Sequence, residues 1–285
     1  MILSMTGFGR AEDVFEGKKI CIDIKSLNSK GFDLNIKMPL RYKEKEFEIR
    51  KMLNDRIIRG KVDCYISLEN LEESNDVKIN KNLIDSYMNE LRSIASDGPD
   101  FEYLKMAVRL PDAITSRPDE LCEGEWEKLT AIVNNALDRF EEFRKTEGKI
   151  LHEELERNIQ NIDKYLSEVI PFEEVRILGL KERYQKALKE FENVDETRFY
   201  QEMAYFTEKL DISEEKVRLA QHLKYYKEVM DNEDFNGKKL GFISQEIGRE
   251  INTLGSKANH AEIQKLVVMM KDDLEKIKEQ TLNVL

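Results

Sequence analysis

Apolar and polar residues alternate along short stretches in the first quarter of the chain and then give way to three- and four-residue spacing. Residues 20–24 (ICIDI), 32–38 (FDLNIKM) and 62–68, where Val62, Cys64, Ile66 and Leu68 recur, each show the period of a half-buried strand. An earlier strand is expected over 2–14, with Glu16-Gly17 closing a turn, and the polar link Ser26–Gly31 is expected to fold 20–24 and 32–38 into a hairpin ended by Pro39. Between 43 and 58, Phe47, Ile49, Met52, Leu53 and Ile57 recur at helical steps, and Gly60 suits the stop. Another helix is expected near 81–95, with Leu83, Tyr87, Leu91 and Ile94 on one side. The order β-β-β-α-β-α predicts an α+β unit whose antiparallel-rich sheet is covered by helices on one face.

Pro99, Pro111 and Pro118 fall within 97–124, which marks the expected boundary between a domain at 1–122 and a helical domain at 123–285. Beyond Trp126 the spacing is almost wholly helical. Stretches at about 125–168 and 172–192, separated by Pro171, predict a long antiparallel arm with Leu151, Leu155, Ile159, Ile162 and Leu166 as its seam. An oligomer contact and an intramolecular hairpin are both open for that arm. Helices near 196–209, 213–231, 238–253 and 259–281 complete the chain, with Asp211/Glu214 and Asn259/Glu262 as capping boxes.

Composition narrows the classes. The 285 residues are 36% charged and only 8% aromatic, a profile of helices with solvated faces. No run approaches the ~20 apolar residues of a membrane span and no signal-peptide pattern opens the chain, so a cytoplasmic protein is expected. Cys21, Cys64 and Cys122 lack ligand or disulfide spacing and read as thiols. A net charge of −11 argues against general affinity for polyanions, but Lys25–Lys61 holds eleven Lys or Arg against five Asp or Glu. Lys43, Lys45, Arg50, Lys51, Arg59 and Lys61 there could line a phosphate-binding surface. The other reading is a mixed-charge solvated helix.

Chemistry-bearing residues concentrate late in the chain. In the run 245–257 (QEIGREINTLGSK), Glu246 and Glu250 lie one above the other, beside a buried stripe of Ile243, Ile247, Ile251 and Leu254. On the preceding helix, Glu215, Arg218 and His222 flank the stripe Leu219, Leu223, Tyr226 and Met230. The polar turn Asp231–Gly237 makes the two helices antiparallel neighbours, and a turn centred near 235 sets His222 level with Glu246 and Glu250. An imidazole between carboxylates suits a metal ion or general acid–base work; an ion-pair network with Arg218 is the competing reading. The stretch Ser4–Arg10 lacks the context of a nucleotide loop and reads as a tight turn, with Arg10 near phosphate.

The same segments carry a resemblance. Met1–Arg10 (MILSMTGFGR), Leu210–His222 (LDISEEKVRLAQH) and the QEIGREINTLGSK run resemble the YicC/YloC family. Further matches at Asp23–Asn28 (DIKSLN), Arg59–Val62, Glu147-Gly148 and Glu279-Gln280 follow in collinear order over essentially the whole chain. Lys25, Ser29 and Lys30 stand where the family often has Arg, His and Arg. The resemblance implies an N-terminal family domain followed by a helical one; the N-terminal element order is also similar to ribosomal S5 domain 2, an analogy of fold alone. It implies an endoribonuclease acting on RNA, assembled as a homo-oligomer, with a hexamer as the family expectation. Glu246, Glu250, His222, Arg218, Arg249 and Lys257 would be its catalytic groups, and Glu215, His222, Glu246 and Glu250 would hold Mn²⁺ or Mg²⁺. The alternative is a non-catalytic RNA-binding or adaptor oligomer.

Overall fold

Strand β1 (Gly7–Phe15) reaches a two-residue turn, Glu16 and Gly17 at φ 46° and 74°, and returns as β2 (Lys18–Leu27). That positive-φ pair is the geometry a tight hairpin requires. The computed structural model describes residues 2–71, 77–95, 98–116, 121–189 and 196–285. The next pairing departs from the hairpin expected across Ser26–Gly31. Strand β3 (Phe32–Lys37) runs parallel to β4 (Gly60–Asn70), which lies between β3 and β2, so the sheet order is β1-β2-β4-β3. A parallel neighbour needs a crossover. A 3-10 turn at Leu40–Lys45 and helix α1 (Glu46–Arg56) supply it, burying Tyr42, Ile49 and Leu53 against the sheet. Gly60 does not stop α1, which ends in extended Ile57; it opens β4 at φ 128° and donates its N–H to the Gly31 carbonyl.

Within the interval expected to be a boundary, the described residues 98–116 are structured. Strands β5 (Val77–Ile79) and β6 (Ile114–Ser116) pair with each other, and α2 (Lys81–Ile94) and α3 (Asp100–Ala107) close a small core of Ile84, Ala107 and Ala113.

Helix α4 (Glu123–Lys189) is continuous for 67 residues through Pro171, about 100 Å at 1.5 Å per residue. The break expected at Pro171 does not form. Its first half covers the sheet, with Leu129, Ile132, Ala136 and Phe140 packed on Ile20, Ile22, Ile24, Val62 and Cys64. This contact explains the glycines of the GFG triplet: a Cβ on Gly9 would stand 2.1 Å from the Ala136 carbonyl oxygen, and one on Gly7 2.4 Å from the Phe140 ring. Ser4–Arg10 is thus largely strand, not a tight turn, and Arg10 pairs with Glu12 and Asp23 on β1 and β2.

Farther along α4, Leu151, Leu155, Ile159, Ile162 and Leu166 are buried as expected, but against other helices. These are α6 (Ser213–Asn232), α7 (Gly237–Ala258) and α8 (Ala261–Thr281). The expected partner 172–192 is instead the continuation of α4 itself as far as Lys189, and 190–192 lie outside the described residues. A division at 122/123 assigns all of α4 to the helical part; the helix serves both cores. Helix α5 (Glu196–Leu210) ends beside α4, where buried Arg176 donates to the carbonyls of Leu210 and Ala258. Neither expected capping box forms: Asn259 ends α7 in the left-handed region at φ 35°, and Asp211 accepts from the Ser213 N–H and hydroxyl. The chain ends meet, since Ser4 bridges Val284 and Leu285 donates to the Leu3 carbonyl. Among the described residues, no helix is long and apolar enough to cross a membrane.

Candidate functional site

Helices α6 and α7 are antiparallel because only residues 233–236 join them, and their apolar stripes face one cluster. One contact fixes their register. Lys257 Nζ stands 2.7 Å from Glu215 Oε1, and Glu215 is only 4% exposed. The second oxygen of that carboxylate is buried with no hydrogen-bond partner. Seven residues along α6 from Glu215 is His222, and seven back along α7 from Lys257 is Glu250. Two helical turns return each to nearly the same face, so His222 and Glu250 share one height across the pair. Both are half-buried, and neither makes a hydrogen bond or ion pair among the described residues.

The other expected groups turn to local partners. Glu246 accepts from Arg249 at 2.9 Å, and Arg218 pairs with Glu214 at 2.5 Å, each within its own helix and largely in water. Such exposed pairs contribute little, about 0.3–0.5 kcal/mol each. As ligands for a divalent cation, the expected four fit poorly. Glu215 is held by an ammonium and Glu246 by a guanidinium. Among the described residues, no three His, Cys, Asp or Glu side chains are grouped to hold a metal ion. The remaining histidines are engaged elsewhere: His152 meets Asp231 at 2.9 Å, and His260 packs on Phe172 with ring centroids 5.4 Å apart.

The basic region is more neutral than its composition. Lys43 and Arg50 both reach Glu46, at 2.6 and 3.1 Å, and hold its carboxyl below the usual range. Lys45 pairs with Glu48 at 2.6 Å and lies 4.8 Å over the Trp126 ring. Lys51 and Lys61 make no ion pair among the described residues, and Arg59 Nε donates to the Ser29 carbonyl at 2.8 Å.

A feature the sequence reading missed lies where the sheet's loops approach α7 and α8. A cleft of about 640 Å³ is bounded by Asn28, Lys30 and Arg59 on one side and Lys238, Phe242, Gln245, Lys278 and Glu279 on the other. Its floor is tied together by buried Arg144, whose Nη2 donates to Met5 O, Ser26 Oγ and Arg59 O at 2.9, 3.1 and 3.1 Å. Phe242 offered the available signal: a large apolar side chain outside the buried stripe of its helix, 57% exposed.

Two family profiles cover nearly the whole chain. One, described as "Endoribonuclease YicC-like, N-terminal region", matches residues 2–153, and the other, "Endoribonuclease YicC-like, C-terminal", matches 169–285. The chain belongs to the YicC-like endoribonuclease family. Similar YicC-like relatives are a "Probable endoribonuclease YicC" of Clostridioides difficile (strain 630), 34% identical, and one of Haemophilus influenzae, 28% identical. Each alignment takes in 100% of both chains. The segments that carried the YicC resemblance are far apart in sequence, yet Met5, Asn28, Arg59, Gln245 and Glu279 all border the cleft.

Proposed function

We propose that this chain is an endoribonuclease that cleaves RNA phosphodiester bonds, with its chemistry on the shared face of α6 and α7. Full-length membership of the YicC-like family is the observation that carries the reading. His222 and Glu250 would be the proton-transferring pair, being level with each other, half-buried and without partners among the described residues. Lys257, Arg249 and Arg218 would offset negative charge on the phosphoryl group, with Glu215 holding Lys257 in place. Dependence on Mn²⁺ or Mg²⁺ belongs to the proposal, and so does a homo-oligomer, with a hexamer as the family expectation. With Glu215 and Glu246 engaged by Lys257 and Arg249, His222 and Glu250 are the donors a single chain would offer. The ribosomal S5 domain-2-like topology is likewise inferred, from the β-β-β-α-β order of the main sheet.

The rival, a non-catalytic RNA-binding or adaptor oligomer, draws on the ion pairs: Lys257–Glu215 registers α6 on α7, and Arg249–Glu246 and Arg218–Glu214 only support their own helices. An assay of internally labelled RNA with wild type, His222→Asn and Glu250→Gln, each with added Mn²⁺ and with chelator, separates the two. The endoribonuclease reading expects cutting by wild type and a loss of about 10²-fold or more in each variant. RNA bound but left intact by wild type in every cation condition would establish the adaptor.

A further inference from the structure

The geometry points to the cleft between the sheet's loops and the first half of α7 as a binding site for single-stranded RNA, one that stacks a base on Phe242 and grips the adjoining phosphates with Lys30, Arg59 and Lys238. This rests on the RNA-directed reading above and names where the strand would lie. Three observations converge. First, Lys30, Arg59, Lys238 and Lys278 border the cleft against two carboxylates, Glu275 and Glu279, in a chain whose net charge is −11. Lys278 is tied to Glu275 at 2.7 Å, while Lys30 has no ion pair among the described residues. A polyanion is drawn to such a local cationic recess rather than to the molecule's mean charge.

Second, Phe242 is 57% exposed at the cleft's edge, with Lys238 Nζ 6.0 Å from its ring centroid. An aromatic face beside an ammonium matches a nucleotide, whose base stacks and whose phosphate is anionic. Gln245, one turn on, and Asn28 supply amides, and Glu279 is an acceptor without an ion pair among the described residues. Ribose hydroxyls and exocyclic amines are the donors of a single strand that would use it. Third, the site is continuous with the proposed chemical face. Phe242, Glu246 and Arg249 follow one another up one stripe of α7, so a strand stacked at Phe242 runs toward Glu250 and His222 within about two turns.

Gly241 gives a clean way to close the cleft. Its Cβ position faces open space, with the nearest atom, Thr281 Cγ2, 4.0 Å away, and a side chain there replaces a poor helix former. Wild type, Gly241→Leu, Phe242→Ala, Lys30→Ala and Lys30→Arg would be titrated into a labelled single-stranded oligoribonucleotide of about twelve nucleotides, read by anisotropy. Cleavage KM, thermal midpoint and solution mass would be recorded on the same samples. Phe242→Ala is expected to weaken binding about tenfold, and Gly241→Leu at least as much, with KM following and the midpoint held. Lys30→Ala should flatten the log–log salt dependence by about 0.7, and Lys30→Arg should restore it. Wild-type affinity in Gly241→Leu and Phe242→Ala would overturn the proposal. So would a drop in solution mass in those variants, which would make the recess a contact between copies of this chain. Tight binding in wild type without any cutting would instead sink the endoribonuclease reading, while the affinities of the variants still decide the cleft.

Discussion

Arg144 is the side chain on which the loops beneath the cleft depend. It is 4% exposed, and its hydrogen bonds to Met5 O, Ser26 Oγ and Arg59 O all go to neutral acceptors. Burial pulls its guanidinium down to about 10, and the Phe140 ring beneath it, 4.5 Å away, covers what hydrogen bonds do not. Arg144→Met should take that donor from the Arg59 carbonyl, leave Met5 O with only the Ser26 hydroxyl, and cost about 2–3 kcal/mol in denaturant unfolding. A loss under about 0.5 kcal/mol would mean that water replaces the guanidinium without consequence. Glu215 and Lys257 invite a paired test. Removing the ammonium alone strands a buried carboxylate, so Lys257→Met should destabilise by about 2 kcal/mol, less than a fully enclosed pair because Lys257 keeps a third of its side chain in water. Adding Glu215→Gln should recover part of that stability; a double variant no better than the single one would remove the structural role assigned to the pair. Asp211 supplies the acid-sensitive contact at the start of α6. The Ser213 hydroxyl and N–H, with lesser help from Lys257, hold its carboxyl below 3.8. Because the folded value is depressed, the stabilisation is complete above the unfolded value and fades as pH falls through the folded one. Asp211→Ala should therefore lower the thermal midpoint at pH ~7, and the difference should shrink as pH falls below ~3.8 and vanish once the folded carboxyl is protonated.

Among the elements, β1 against α4 is the tightest fit and the easiest to break. Gly9→Ala would drive a methyl to 2.1 Å from the Ala136 carbonyl, which only a shift of the strand or the helix relieves. A cost of about 3 kcal/mol or more in urea unfolding is expected, at the upper end of overpacking. Gly31→Ala, with nothing within 4 Å of its Cβ position, should be nearly neutral. Equal effects in the two variants would refute the contact. The strands themselves were legible because each buries one face, so Ile20, Ile22 and Ile24, then Leu34 and Ile36, then Val62, Cys64 and Ile66 announced a period of two. Their order was not legible. Alternation says nothing about which strand lies beside which, and the need to lay Ile49 and Leu53 of α1 on the sheet decided for a crossover over the hairpin. Pro171 read as a break because proline lacks the N–H of a helix interior, yet α4 continues, with Val169 buried just before it and Arg176 anchored just after. The antiparallel pairing of α6 with α7 was legible, since a short turn between neighbouring helices leaves little freedom. The reach of Lys257 to Glu215 was not, because a long side chain chooses its partner from three-dimensional surroundings. The cleft was invisible for the same reason, being assembled from five separate parts of the chain.

At the scale of the whole molecule, α4 joins the sheet and the helical cluster, and both ends of the chain close over the same junction. That arrangement places the loops of the sheet beside α7 and leaves His222, Glu246 and Glu250 on the side of the α6–α7 pair. If cutting requires a divalent cation, one chain falls short: its described residues gather no three metal-binding side chains, with Glu215 and Glu246 turned to Lys257 and Arg249. A cation bound tightly enough to work needs more oxygen or nitrogen donors than His222 and Glu250 supply. A second copy of the chain can supply them. Cation-dependent activity should then be tied to assembly, so that activity per chain falls as the protein is diluted through its dissociation range, followed by light scattering. Mixing is the sharper measurement. His222→Asn and Glu250→Gln, each inactive alone, should regain a fraction of wild-type cutting when unfolded and refolded together, because some mixed contacts would bring an intact His222 and an intact Glu250 to the same ion. Activity that is chelator-sensitive yet constant on dilution and unrestored by mixing would place the whole site within one chain. It would then require α6 and α7 to rearrange around the cation, with Glu246 leaving Arg249 to join Glu250 and His222.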